Sequence, residues 1–299
     1  MKKWAYLFIA TGATLWGIIA VFVQSLHSFG FTPLQIVAIR VIVSTVILFL
    51  YAAFTNRSLL KIHPSDGKYF IGTGIFSIVF FNWCYFTAIQ ETSISIAAIL
   101  LYTGPAFVTI LSRMIFKEWL TSRKMLALLA TFIGCSFVIG ILPSMNESIS
   151  LYGLLIGLGS GFGYALYSIF GKFALQKYHV LTVTTYTFLF ASIGILPISG
   201  LWGSAHLFAS GKVLAYSIGL GVFPTVLAYL FYTLGLSYVE SSRASIASTI
   251  EPIVATLVGT LLFGEMLTLW QMFGILLVIM AVVIVQETKG KERVGTEPS

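Results

Sequence analysis

Residues 95–125 read SIAAILLYTGPAFVTILSRMIFKEWLTSRKM, and residues 242–272 read SRASIASTIEPIVATLVGTLLFGEMLTLWQM. Laid over one another at a spacing of 147 they pair Ser95, Ala97, Ile99, Pro105, Thr109, Phe116, Glu118, Leu120, Thr121 and Met125 with Ser242, Ala244, Ile246, Pro252, Thr256, Phe263, Glu265, Leu267, Thr268 and Met272. The register runs upstream too: Tyr69, Ile71, Gly72, Gly74 and Phe76 meet Tyr216, Ile218, Gly219, Gly221 and Phe223. An apolar bias produces chance matches among Leu, Ile and Phe, but it does not produce paired Gly, Pro, Glu and Thr. Recurrence at a fixed period marks a duplicated architecture.

Each copy is embedded in runs of about 20 apolar residues, the length that crosses a hydrocarbon core of about 30 Å as a helix. Ten such runs cover about residues 5–26, 33–54, 68–90, 93–116, 124–142, 150–174, 180–201, 212–236, 242–263 and 268–286. The expected fold is therefore an all-α integral membrane protein of ten transmembrane helices. Composition agrees: of 299 residues 58% are hydrophobic and 9% charged, with a mean hydropathy of +0.97. That leaves too few charges to solvate the surface of a water-soluble enzyme. Met1-Lys2-Lys3-Trp4 before the first run resembles a signal peptide, but no convincing cleavage site follows, so it reads as an uncleaved first span.

Charge placement fixes an orientation. Threading the spans puts Lys2, Lys3, Arg57, Lys61, Lys68, Lys117, Arg123, Lys124, Lys172, Lys177, Arg243, Lys289, Lys291 and Arg293 on one side and Lys212 on the other. The positive-inside rule makes the rich side cytoplasmic, with both termini there, in the cell membrane. This asymmetry explains the net charge of +7 without a nucleic-acid partner. Five spans per copy is an odd number, so the second copy enters the membrane upside down, and Lys117, Arg123 and Lys124 accordingly fall opposite Gly264, Trp270 and Gln271. The expected units are 1–145, 146–287 as an inverted repeat, and a disordered cytoplasmic tail over 288–299. Inverted repeats recur in secondary transporters, whose two halves exchange conformations about a midplane site.

On Trp16-Gly17 in the first span, Arg40 in the second, and the twin stretches Pro105 to Thr121 and Pro252 to Thr268, the chain resembles the EamA-type, ten-helix members of the drug/metabolite transporter superfamily. The resemblance covers about residues 5–286. Glu251-Pro252 with Phe263 to Thr268 is the more family-like copy; the first departs from it with Gly104 and Lys117. The resemblance implies a secondary carrier, often an exporter of amino acids or other small metabolites, and leaves the substrate open.

Candidate site residues follow from cost. Glu251 is about nine residues into its span, near the bilayer centre, where a charge costs at least ~2.5 to 3.5 kcal/mol. It must face a cavity, find a partner or take a proton, which suits proton coupling or amine binding; the alternative is a structural bond to a neighbouring helix. Pro252 and Pro105 should break their helices, leaving the carbonyls of Ser248 and Leu101 short of partners. Paired breaks point to a midplane site, against a simple packing kink. Arg40 could form a bidentate pair with a substrate carboxylate, or snorkel to the outer interface. Trp16, Tyr85, Tyr232, Asn82 and Tyr102 complete the substrate-binding candidates, with Trp83, Tyr164, Tyr167 and Tyr229 as further aromatic positions whose default is packing.

Other motifs read as structural. Arg113 is expected to snorkel, Glu118 and Glu265 to serve the caps of the helices that follow Thr121 and Thr268, and the glycines of 153–163 to let helices approach closely. Cys84 and Cys135 lie in apolar runs, and His27, His63, His179 and His206 are scattered, so no metal site or cofactor is expected. The reading that results is a carrier for a small zwitterion such as an amino acid, working by alternating access, with export as the expected direction. Its partners are the substrate, the bilayer and, as open expectations, protons and a second copy in a homodimer. Import, or transport of amines, nucleotide sugars or drug-like cations, is the alternative. An intramembrane lipid-modifying enzyme would need clustered catalytic groups, and no Asp lies within a span.

Overall fold

The computed structural model describes residues 2–143, 150–264 and 266–286. The tail 288–299 and Glu265, and with them the expectations placed there, lie outside the described residues. Within them the chain is helical throughout, without a strand. Among the described residues nine helices are long and apolar enough to cross a membrane: α1 Trp4–Ser28, α2 Pro33–Thr55, α3 Pro64–Glu91, α4 Ile94–Ile115, α6 Leu151–Ala174, α7 Val180–Ser199, α8 Gly211–Tyr238, α9 Ser241–Leu262 and α10 Leu269–Gln286. The remaining expected span is α5, Ser122–Val138. Its 17 residues make about 26 Å of helix, a little under the usual core thickness.

Helix boundaries follow from local chemistry. Thr32 and Gln35 form a capping box at the start of α2, exchanging bonds of 2.9 and 3.3 Å, with Pro33 in the first turn where its missing N–H is not needed. Thr121 caps α5 through the Lys124 N–H at 3.2 Å, and Thr268 caps α10 through the Gln271 N–H at 3.2 Å. Gly264 ends α9 at φ 72°, a backbone conformation that an L side chain rarely adopts. Glu118 does not serve its own following helix: its carboxylate reaches the start of α9 and accepts the Ser241 N–H at 2.8 Å. The Thr121 hydroxyl already serves α5, whereas the first amides of α9 have no acceptor of their own.

The starts of the second to fifth spans, 33, 64, 94 and 122, recur at 180, 211, 241 and 269, each 147 residues later. Contacts recur in crossed form. A Cβ on Gly17 would lie 2.9 Å from the Glu251 carbonyl oxygen, and one on Gly104 would lie 2.8 Å from the Tyr164 ring; 164 and 251 are 17 and 104 shifted by 147. Thr45 on α2 and Ser192 on α7, themselves 147 apart, share a hydrogen bond of 3.0 Å. On α5 and α10, Gly134 and Gly274 meet backbone to backbone, with 2.6 Å from a Cβ built on Gly274 to the Gly134 carbonyl oxygen. Without a hydrophobic drive between helices in lipid, such close approach supplies the packing. The glycines of α6 do the same, Gly161 lying under Thr103 and the Leu100 carbonyl.

Two features interrupt this regularity at matching places. The spans α3 and α8 contain π-helical segments, Gly72–Val79 and Val222–Leu227. The spans α4 and α9 are each two helices, Ile94–Leu101 with Gly104–Ile115 and Ser241–Ala247 with Ile250–Phe263. Irregular backbone inside a span is tolerated where it is buried in protein or lines a cavity.

Candidate functional site

The breaks in α4 and α9 are made by Pro105 and Pro252 in the expected places but by a different local route. Pro252 is the third residue of the half-helix that begins at Ile250, where a missing N–H costs no helical bond. The chain leaves the helical path before it, so the Ser248 carbonyl, expected to lack a partner, accepts the Glu251 N–H at 3.1 Å. On the α4 side the first half stops at Leu101, and the Thr103 N–H turns back to Leu100 at 3.2 Å.

Glu251 is thereby placed in the first turn of a half-helix, at the positive end of its dipole. Its side chain keeps part of its surface accessible. The charge of Glu251 acts on Tyr85, Tyr102, Tyr164, Tyr229 and Cys135, so these groups surround it. Arg40, on α2 and 8% exposed, opposes Glu251 electrostatically and reaches the Tyr229 hydroxyl. It does not snorkel to an interface. The Arg40 Nε has no hydrogen-bond partner although it is buried.

Beside this pair lies a small cavity of about 10 Å³, room for about one water molecule, walled by Trp16, Phe81, Tyr164, Tyr167, Tyr229 and Tyr232 with the hydroxyls of Ser77 and Ser168. The rings hold one another edge to face: Trp16 is 5.0 Å from Tyr229 at 76°, and Tyr167 is 5.0 Å from Tyr229 at 85°. Polar tips are tied off by Tyr232 with Ser168 at 2.7 Å, Tyr167 with Thr233 at 2.5 Å and Tyr164 with Ser248 at 3.2 Å. The Trp16 Nε1, like the Arg40 Nε, is buried without a partner. An unpaired buried donor costs about 1–3 kcal/mol, which an acceptor on a bound molecule would recover.

The sequence candidates divide between these two neighbourhoods. Trp16 and Tyr232 wall the pocket. Tyr85 lies tilted against Phe81 at 6.1 Å on the Glu251 side, and Tyr102 sits at the α4 break against Cys135 and Ile253. Asn82 is buried but spends its amide on the Ile78 carbonyl of its own helix at 2.7 Å. Trp83 is 46% exposed and faces away. Ser77, Phe81 and Ser168 are not legible as pocket residues in the sequence; Ser168 has one signal, its spacing of four from Tyr164, which places both on one helix face. Elsewhere, Arg113 is exposed with its guanidinium 5.5 Å over the Trp119 ring. Both cysteines are free and buried, and among the described residues no three of His, Cys, Asp and Glu converge as metal ligands do.

Bundle, breaks and pocket define a polytopic helical membrane protein with a small aromatic pocket between helices of both halves. The chain belongs to the EamA-like transporter family, which it matches twice, over residues 3–140 and 151–286. It is therefore a transporter of the drug/metabolite superfamily. A protein of Archaeoglobus fulgidus called "Uncharacterized transporter" is 30% identical over 276 residues, covering 92% of this chain and 94% of its own. Bacillus subtilis YwfM, also called an uncharacterized transporter, is 24% identical over 290 residues, covering 96% and 95%. A solved structure titled "Crystal structure of protein" has the same fold, with a TM-score of 0.80 at 16% identity over 95% of this chain and 96% of that one.

Proposed function

We propose that this protein is a secondary active carrier that moves a small zwitterion, an amino acid or a molecule of that type, out of the cell by alternating access. Two five-helix units, inverted with respect to each other, rock about the pocket between their helices, with both termini in the cytoplasm. The crossed contacts support the symmetry, because reciprocal pairing of the same two surfaces is what a two-fold relation produces. An odd number of spans per unit turns that axis into the membrane plane.

The observation that carries the substrate reading is the pair of buried, unpartnered N–H groups, Arg40 Nε and Trp16 Nε1, with Tyr229 joining the two neighbourhoods: it walls the pocket with Trp16 and feels the charges of both Arg40 and Glu251. A substrate carboxylate suits the guanidinium fork. An ammonium suits Glu251 and the ring faces. With no substrate present, Glu251 is free to take a proton, which makes it the candidate coupling group.

The test is thermal unfolding of the purified protein with amino acids, amines, sugars, nucleosides and hydrophobic cations. A ligand at 100 times its dissociation constant stabilises by about 2.7 kcal/mol. Stabilisation by an amino acid, lost in Arg40→Gln and in Glu251→Gln, is the expected result, followed by saturable counterflow in vesicles. Stabilisation by amines alone, independent of Arg40, would replace the zwitterion with a cation, and proton-gradient dependence that survives in Glu251→Gln would remove its coupling role.

A further inference from the structure

At the lysine-rich end of the bundle a group of charges joins the first five helices to the second five. Glu118, between α4 and α5, accepts the Ser241 N–H at 2.8 Å and the Ser242 N–H at 3.2 Å, and the Ser242 hydroxyl donates to the same carboxylate. These are amides of the first turn of α9, which its own backbone leaves without acceptors. Lys124 of α5, 2% exposed, lies 2.9 Å from Glu240 and 3.7 Å from Glu118. Arg243 lies 2.5 Å from Glu240 and reaches the hydroxyl of Tyr6 on α1. Lys172 faces the same two carboxylates while its Nζ donates to the Leu236 and Val239 carbonyls at 2.7 and 2.6 Å.

The duplicated scaffold provides an internal control. Shifted by 147, Lys124 corresponds to Gln271, Glu240 to Ser93, Arg243 to Ile96 and Lys172 to Ser25, none of them ionised at neutral pH, whereas Glu118 corresponds to a second carboxylate, Glu265, which lies outside the described residues. Gln271 uses its side chain on the α10 cap at Thr268 and on the Val138 carbonyl. Equivalent helices therefore pack at the other end without counterparts of Lys124, Glu240, Arg243 and Lys172, so packing alone does not call for those four charges. What distinguishes this end is that the carboxylate is joined by an ammonium: Lys124 of one unit is seated, nearly dry, against Glu240 of the other.

We infer that Glu118 and Lys124, seated on the start of α9 and on Glu240, are the latch of the gate at the lysine-rich end, which the orientation proposed above makes the cytoplasmic gate. The inference rests on the alternating-access reading. A carboxylate held by two backbone amides and a hydroxyl does not slide by degrees: it is seated there, or it is in water. Parting the two units at this end exchanges one state for the other, which gives the gate two discrete positions. Once the gate is open, water serves the carboxylate, the ammonium and the freed amides. Removing either charge weakens only the closed position.

Gate opening can be read without a substrate. Ser245 is fully buried, one turn deeper along α9 than Ser241, and Ser217, buried on α8, lies toward the other end. Each is changed to Cys in separate proteins lacking native thiols (Cys84→Ala, Cys135→Ala), reconstituted in vesicles of known orientation. Labelling rates are measured with a membrane-impermeant maleimide applied on the lysine-rich side for residue 245 and on the opposite side for residue 217. Glu118→Gln should raise the rate at residue 245 about tenfold, the scale of a lost bond to a charged group, with no rise at residue 217. Lys124→Met should act in the same direction and serves as the second variant if Glu118→Gln does not fold. An unchanged rate at residue 245, or equal rises at both reporters, which would mean general loosening, overturns the latch. Because no ligand enters this experiment, its failure leaves the substrate reading standing, and failure of the ligand panel leaves this result interpretable.

Discussion

Two indole and guanidinium nitrogens without partners give the site its polarity, and they can be tested one at a time. Trp16→Phe keeps a ring against Tyr229 and Tyr232, which lie 5.0 and 5.1 Å from it, and removes three ring atoms, the donor among them. The variant should be less stable than the parent by about 1–3 kcal/mol because of the space left behind, and bind its substrate more weakly by a further ~1 kcal/mol, one hydrogen bond's net worth. Arg40→Lys keeps the charge and loses the fork, so binding of a carboxylate should weaken by about tenfold or more; calorimetric titration of both variants decides the matter. Glu240 gives a pH dependence outside the spans. Burial pushes its carboxyl up, but Lys124 and then Arg243 more than offset this and hold it below its ordinary value of 4.5. A depressed carboxylate contributes stability that is complete above that value and is lost as pH falls through the folded one. Melting temperature should therefore drop below about pH 4.5, and the drop should be shallower in Lys124→Met.

At the scale of elements, the glycine contacts separate close approach from helix preference. A Cβ at residue 274 lies 2.6 Å from the Gly134 carbonyl and 2.8 Å from the Val138 nitrogen, both backbone atoms. Gly274→Ala must force α5 and α10 apart, at a cost of about 1–3 kcal/mol. Gly171→Ala on α6 meets only a Leu236 methyl at 3.7 Å and gains helix preference, so it should be neutral or stabilising by up to about 1 kcal/mol. Equal melting temperatures for the two variants would refute the role assigned to the α5–α10 contact. The broken spans belong at this scale too. Pro105 and Pro252 are legible as interruptions, but a proline in a sequence does not say whether the chain kinks over it or restarts before it. Here the restart lets Ser248 keep a hydrogen bond and places Glu251 in a first turn.

For the whole molecule, the charge count makes a topological claim that labelling from either side of the membrane can check. Ser58→Cys, in the exposed segment after α2, should react only from the cytoplasmic side. Gly203→Cys, where an added Cβ meets nothing within 4 Å, should react only from outside. Reaction of both from one side would break the inverted arrangement. At this scale the ten-span reading was legible because crossing a bilayer demands a length and composition that show in any window. Nine of the helices meet that demand among the described residues, and α5 is the short one.

Composition, the 147-residue period and the loop charges determined on their own that the chain is a helical membrane protein built twice over, and they pointed to Glu251 and Arg40 because an ionised group deep in a span is too costly to be incidental. They did not show how those residues are used. Only the tertiary structure decided that Asn82 bonds to its own helix, that Trp83 faces outward, that Ser77, Phe81 and Ser168 join the pocket, and that Glu118 caps a helix 123 residues away in sequence. The reason is physical. Hydropathy reports what each segment requires of its solvent, one segment at a time, whereas a pocket or a crossed cap depends on the rotation of each helix about its axis. Side-chain packing between spans sets that rotation, and in a chain that is apolar on nearly every face the sequence pattern carries little of it.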